Sequence, residues 1–187
     1  MRLHLPVDTE SSAAFARQHA LFLPNAAAPS FLAELNHLLA RAPWQPDPVT
    51  SDRFRFDSSP VDLAPLLPHL LDPALLEALA ELTGVRGIEG FHGQLKRIQP
   101  GDAFPWHRDH RKGQRLGMSL CLSRDFDGGS FEIRWRWEED VLFHCQPRHP
   151  GDLHLIDVAD PRLVHRVTPV TRGARVMLAG WWTAGPA

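Results

Sequence analysis

Asp127-Gly128-Gly129-Ser130-Phe131-Glu132-Ile133-Arg134-Trp135-Arg136-Trp137 is the stretch that sets the fold class. After a Gly-Gly turn, Phe131, Ile133, Trp135 and Trp137 alternate with Glu132, Arg134 and Arg136. Side chains along a strand point to opposite faces with a period of two, so this alternation predicts a strand with one buried face. Outward from it, beginning near residue 88, further short apolar segments recur at 116–122, 153–156, 163–167 and 175–182, divided by Gly, Pro and Asp. Short strands punctuated in this way predict a mainly β sandwich or jelly roll rather than alternating βαβ units.

The first 87 residues carry a helical period instead. Phe31, Leu32, Leu35, Leu38 and Leu39 share one face of a predicted helix, with Ser30 as its N-cap and Pro43 as a stop. A second helix is predicted from the N-cap Asp72 and the N1 proline Pro73, carrying Leu75, Leu76, Leu79 and Leu82 inward and ending at Gly84. Between them, residues 43–70 hold six prolines, which predicts loops and short turns that could border a substrate. The whole is read as one domain of 187 residues, a mainly helical support region over 1–87 and a strand-rich core over 88–183.

A net charge of -2 gives no broad basic field, so nucleic acid and anionic lipid are not expected partners. No apolar run approaches the roughly 18 residues needed to cross a bilayer, and no signal-peptide core follows Met1, so a cytoplasmic protein is expected. Cys121 and Cys145 fall in separate elements without metal-type spacing and are expected to be small buried hydrophobes. The chain has eleven histidines, six tryptophans and no tyrosine. Trp106, Trp135 and Trp137 are expected in core or rim packing. His92 is expected as a hydrogen-bonded sheet histidine. His144, His149 and His154 recur every five residues, but Pro147 and Pro150 interrupt any shared face, so no second metal site is expected there.

Phe104-Pro105-Trp106-His107-Arg108-Asp109 carries the chemistry. Two residues apart in an extended segment, His107 and Asp109 can aim an imidazole nitrogen and a carboxylate oxygen at one point. Two histidines and one carboxylate on one face of an octahedral ion leave three positions open, the arrangement of non-haem iron(II) oxygenases. Leu163-Val164-His165-Arg166-Val167 places a further strand histidine ten residues before Arg175, with Pro169 and Gly173 suited to the turn between. Arg175 opens an apolar strand that would bury its stem while the guanidinium faces a cavity, and a buried guanidinium needs an anion, matched best by a bidentate carboxylate.

These residues, in this order, resemble the prolyl 4-hydroxylase-like branch of the Fe(II)/2-oxoglutarate-dependent dioxygenase superfamily. The matching blocks are Gln99-Pro100-Gly101-Asp102, His107 with Asp109, Asp125 to Phe131, Pro150-Gly151-Asp152, His165 to Arg175, and Gly180-Trp181-Trp182. The resemblance implies a cupin-like double-stranded β-helix, with His107, Asp109 and His165 as metal ligands and Arg175 on the C5 carboxylate of 2-oxoglutarate. It implies Fe(II), 2-oxoglutarate and O2, with ascorbate as an optional reductant, and decarboxylation of 2-oxoglutarate to succinate and CO2 coupled to hydroxylation of a C–H bond. Many relatives place tyrosines about nine residues before the first histidine ligand and on the following strand. Here Gln99 and Ser119 stand as substitutes for those co-substrate donors, and Lys96 and Arg97 could add charge.

The resemblance implies an amino-acid, peptide, protein or small-metabolite substrate, with contacts sought over residues 44–60, including Trp44, Arg53 and Arg55, and in the loop from His110 to Arg115. Halogenation of the same fold requires loss of the carboxylate, and Asp109 is present. Demethylation of alkylated nucleic acid is the alternative within the fold, but Trp181 occupies the place of that branch's further arginine, six residues after Arg175. A metal-binding or ligand-binding β-sandwich without turnover is the alternative outside enzymes.

Overall fold

The computed structural model describes residues 3–48, 55–109 and 113–184. The N-terminal region opens with α1 (Thr9–Gln18), capped by the Asp8 carboxylate on the Ser11 N–H, and β1 (Ala20–Leu23). Next comes α2 (Pro29–Leu39), whose N-cap is Ala28 rather than Ser30, which lies inside the first turn. Proline's fixed φ seats Pro29 at N1 and moves the start one residue upstream of the predicted cap. Short strands β2 (Gln45–Pro46) and β3 (Asp57–Ser59) precede a 3-10 turn at Ala64–Leu66 and α3 (Leu67–Leu70). The helix predicted from Asp72 is α4 (Pro73–Thr83), where the Asp72 carboxylate accepts from the Ala74 and Leu75 N–H groups and Gly84 closes it at φ 74°.

The strand-rich part runs through β4 (Ile88–Ile98), β5 (Phe104–His107), β6 (Gln114–Cys121), β7 (Asp127–Gly128) and β8 (Phe131–Trp135). It continues with β9 (Val141–Cys145), β10 (Leu153–Asp157), β11 (Leu163–Val167), β12 (Val170–Arg172) and β13 (Arg175–Ala184). These strands form a seven-stranded sheet in the order β1-β10-β6-β13-β4-β3-β2, a four-stranded sheet in the order β5-β11-β8-β9, and the small β7–β12 pair, with antiparallel pairing throughout. This is a double-stranded β-helix. The region read as helical support thus also supplies three strands to the larger sheet.

Period-two alternation along the larger sheet divides the molecule into two cores. Leu95, Leu116, Leu120, Leu155, Leu178 and Trp182 face the helices, with Phe31, Leu35, Leu75 and Leu79 packed against that side. Trp182 is fully buried there and its indole donates to the Leu70 carbonyl at 2.8 Å. The opposite face carries Ile98, Met177, Ala179 and Ile156 toward Phe131, Ile133 and Val167 of the smaller sheet. Trp135 belongs to this second core as a partly buried neighbour, but Trp137 is 73% exposed, contrary to its expected packing. The strand ends at Trp135, where the Glu138 N–H returns to the Trp135 carbonyl at 3.2 Å and turns the chain toward β9.

Two predicted turns do more than connect strands. In the Pro150-Gly151-Asp152 turn the Asp152 carboxylate is buried and accepts from the backbone N–H groups of Asn25, Arg148 and His149, so the carboxylate is satisfied by three donors. At Gly129, which has φ 65°, an added Cβ would lie 3.1 Å from Cδ of Arg175. The Gly-Gly turn that announces β8 therefore also leaves room for the arginine stem. Cys121 and Cys145 are both buried free thiols, as expected.

Candidate metal centre

The pairing of β11 with β5 sets His165 directly opposite His107, and Asp109 follows two residues beyond β5. Directly opposed side chains on one face of an antiparallel pair are close neighbours. The two imidazole centroids are 4.2 Å apart, and Nε2 of His165 is 3.8 Å from Oδ2 of Asp109. One ligand atom from each of His107, Asp109 and His165 lies within 4.8 Å of the others, and this is the group of potential metal donors found among the described residues.

The supporting contacts fix how each donor faces that point. Nδ1 of His107 is 2.7 Å from the Pro105 carbonyl, and because a carbonyl only accepts, Nδ1 carries the proton and Nε2 the ligating lone pair. Trp181 donates its indole N–H to Oδ2 of Asp109 at 2.6 Å. Burial alone would raise the Asp109 carboxyl, yet His165, the Trp181 N–H, His107 and Lys96 together hold it below the usual carboxylate range. Burial first, then His107 and Lys96, push the His165 imidazole down to about 3 against the opposing pull of Asp109. A neutral imidazole at His165 and an ionised carboxylate at Asp109 are protonation states that metal ligation requires. The donor set therefore fits a divalent first-row ion with imidazole and carboxylate preferences.

A cavity of about 70 Å³ runs inward from these three residues and is lined along its length by Phe131, Met177, Ser119, His154 and Arg175. Arg175 is fully buried. Its Nη1 donates to the Gly129 carbonyl at 2.5 Å, while Nε has no hydrogen-bond partner. Burial pulls this guanidinium below its usual value, and the groups that pull the other way are the Cys121 and Cys145 thiols. Burial raises both thiols, Cys145 to about 12, so neither is an anion at neutral pH. Among the described residues, then, Arg175 is a buried cation with no anionic partner, and it lines the cavity that the three donors open onto.

The remaining sequence candidates separate cleanly. Ser119 lines the cavity, with its hydroxyl donating to Met177 Sδ at 3.1 Å. Gln99 does not reach it: its side chain is exposed and donates to Asp57 at 3.0 Å, and its residue belongs to the turn that Gly101 and Asp102 dock onto Val170. Lys96 lines the cavity, whereas Arg97 pairs with Asp57 at 2.6 Å and stacks on Trp44. Trp181 and His154 also line the cavity, and the sequence reading did not place them there. Both follow from strand period: Trp181 shares a face with Arg175, and His154 shares one with buried Ile156 and stands opposite Ser119 in the β10–β6 register.

Outside the triad opens a groove of about 700 Å³ lined by Asp47, Phe56, His92, Gln94, Arg108 and Gln114, among others, and it meets the inner cavity at Lys96, His107, Asp109 and Trp181. His92 is both a sheet residue and part of this rim, stacked on Trp181 at 5.2 Å with its Nε2 3.0 Å from the Gln114 amide. The prolyl-rich segment contributes Asp47, Pro48 and Phe56 to the groove, while Arg55 is exposed; Arg53 and His110 lie outside the described residues.

Residues 93–183 match the family model of the 2OG-Fe(II) oxygenase superfamily. No curated protein sequence matches the chain. Among solved structures, the fold is similar to an oxidoreductase of the 2OG-Fe(II) oxygenase family from Burkholderia pseudomallei, at TM-score 0.75 and 19% identity, covering 98% of this chain and 96% of that one. It is also similar to a prolyl-4-hydroxylase from Pseudomonas putida, at TM-score 0.70 and 16% identity over 95% and 98% of the two chains. A third is a prolyl hydroxylase from Trichoplax adhaerens in complex with a hypoxia inducible factor oxygen degradation domain peptide fragment, at TM-score 0.71 and 17% identity over 92% and 87%.

Proposed function

We infer, from the match of residues 93–183 to the family model of the 2OG-Fe(II) oxygenase superfamily, that this chain belongs to that superfamily and hydroxylates a C–H bond of an amino-acid, peptide, protein or small-metabolite substrate while converting 2-oxoglutarate to succinate and CO2. The observation that carries this reading is the buried Arg175, without an anionic partner among the described residues, in the same cavity as the His107, Asp109 and His165 donor set. A buried cation without a partner costs several kcal/mol, about 3–5, so it persists where a ligand completes it.

His107, Asp109 and His165 would hold iron(II), and Arg175 would pair with the distal carboxylate of 2-oxoglutarate in the bidentate geometry its planar fork offers. When bound together, the metal, 2-oxoglutarate and dioxygen supply oxidative decarboxylation and the insertion of one oxygen atom into a C–H bond. The chain's own residues do the rest. The Trp181 N–H holds Oδ2 of Asp109 in place, and the Pro105 carbonyl fixes the tautomer of His107. Phe104, Phe131, Ile156, Val167 and Met177 give the cavity apolar walls that limit water near the reacting atoms. The outer groove falls within the size range of small-molecule and peptide side-chain sites and positions the substrate carbon against the triad. The peptide in the Trichoplax adhaerens complex supports a peptide or amino-acid substrate for this chain.

The test is a purified protein supplied with Fe(II), 2-oxoglutarate, O2 and ascorbate and a library of peptides, amino acids and small metabolites. Mass spectrometry should find one class of compound gaining one oxygen atom together with stoichiometric succinate. His107→Ala and His165→Ala should abolish both products while leaving the fold intact by circular dichroism. Full activity in either variant would refute the ligand assignment.

A further inference from the structure

Beyond the guanidinium, the inner cavity holds another buried polar group whose hydrogen bonding is incomplete. His154 is 3% exposed, lines the same cavity as Arg175, and leaves its Nδ1 buried without a hydrogen-bond partner, just as Arg175 leaves Nε. Buried polar atoms in native proteins are nearly always satisfied, so two residues lining one cavity that each keep an unpartnered polar atom fit a polar occupant there. The ring is held firmly. Phe131 from the smaller sheet stacks on it at 4.2 Å and 23°, and the same phenyl ring lies 5.6 Å from the His165 ring.

Its charge state suits a donor to an anion. Burial first, then Arg175 and His165, keep the His154 imidazole well below its usual value, so it is neutral and carries one N–H. In a chain without tyrosine, few neutral donors line this cavity. Ser119 gives its hydroxyl hydrogen to Met177, and Trp181 gives its N–H to Asp109. Among the described residues that line the cavity away from the metal donors, His154 is a neutral donor with an uncommitted ring nitrogen.

We propose that His154 donates a hydrogen bond to the distal carboxylate of 2-oxoglutarate beside Arg175, and so is a co-substrate-binding residue of this enzyme. The inference rests on the function proposed above. Arg175 supplies the charge and one side of the carboxylate; His154 supplies a fixed neutral donor to it. Together they would favour a five-carbon dicarboxylate over a 2-oxo acid with no second carboxylate.

The experiment is an anaerobic titration of the Fe(II)-loaded protein with 2-oxoglutarate, read by the visible metal-to-ligand charge-transfer absorption, which needs no turnover. His154→Phe keeps a flat ring but removes the donor. It should weaken 2-oxoglutarate binding about tenfold to a hundredfold. Fe(II) affinity should stay within about twofold of wild type, and binding of 2-oxobutanoate, which has no distal carboxylate, should not change. His154→Gln and His154→Asn, which restore an N–H, should recover part of the loss. Wild-type affinity for 2-oxoglutarate in His154→Phe would overturn the proposal, as would equal losses for 2-oxoglutarate and 2-oxobutanoate. A measurement without any substitution guards against misfolding: in Zn(II)-loaded protein labelled with 15N-histidine, the His154 ring resonances should shift when 2-oxoglutarate is added, and unmoved resonances would also overturn it. Arg175→Met serves as the control. If that variant too binds 2-oxoglutarate like wild type, the parent reading of the cavity fails; if it loses binding while His154→Phe does not, only the role of His154 falls.

Discussion

Replacing Arg175 with methionine should stabilise the ligand-free protein while destroying its hold on 2-oxoglutarate. The guanidinium is fully buried, makes one hydrogen bond through Nη1 to Gly129, leaves Nε unsatisfied and faces thiols rather than carboxylates. Leaving a charge buried and uncompensated costs about 3–5 kcal/mol. Methionine removes that charge with a flexible apolar side chain, at the expense of about 1–3 kcal/mol for the Gly129 carbonyl stripped of its donor. The difference is a net gain of about 2 kcal/mol, which for a domain of this size raises Tm by about 4–8 °C. Ligand linkage reverses the ranking. With Mn(II) as a redox-silent ion and 2-oxoglutarate at a hundred times its Kd, wild type should gain about 2.7 kcal/mol, and the variant should gain nothing at the same concentration. Differential scanning calorimetry of both proteins, with and without co-substrate, reads all four values. A ligand-free variant less stable than wild type by more than 1 kcal/mol, or an equal response of the two proteins to 2-oxoglutarate, would refute the reasoning.

Three further outcomes are expected. Trp181→Phe removes the 2.6 Å indole donor from Asp109 while keeping an aromatic ring against His92, and should weaken Fe(II) binding about tenfold or more in competition titrations; unchanged metal affinity would reject the supporting role of the indole. His154 and His165 both have imidazoles depressed by burial, His165 to about 3, so below the unfolded value near 6.5 the unfolded chain binds more protons than the folded one. Stability of the metal-free protein should therefore fall as pH drops from about 6.5 toward 3, with a slope of up to about 1.4 kcal/mol per pH unit for each group. Urea midpoints at pH 7.5, 6 and 5 test this; His154→Gln should show the shallower slope, and a flat wild-type profile would contradict neutral burial. Gly128→Ala meets the Pro169 carbonyl at 2.2 Å at a residue with φ 73°, so it should destabilise the protein by more than about 2 kcal/mol, and a denaturation midpoint equal to wild type would remove the β7–β12 turn from the fold argument.

Local chemistry made much of this legible. The alternation in Phe131–Trp135 and the Asp72-Pro73 start and Gly84 end of α4 follow from short-range rules of strand period and capping, whereas the grouping of His107, Asp109, His165 and Arg175 came from the ordered family resemblance, and the structure brings ligand atoms of the first three within 4.8 Å of one another. Where the reading failed, a longer-range interaction decided. Trp137 carries the alternation one step too far because the chain turns back after Trp135. Ser30 yields the cap to Ala28 because Pro29 takes N1. Gln99 sits where a co-substrate donor was sought, but its amide is drawn to Asp57 on a neighbouring strand that the sequence did not announce.

What the sequence determined by itself is the inventory: a period-two core, two imidazoles and a carboxylate of the kinds that ligate metals, and an arginine at the head of an apolar strand. Tertiary structure alone decided the company they keep. The register of β5 on β11 sets His107 opposite His165, and the order β10-β6-β13 brings His154, Ser119 and Arg175 to one cavity from strands distant in sequence. Register and strand order are set by how whole faces pack, not by any single segment, which is why the donors could be named in advance but the occupant's surroundings could not.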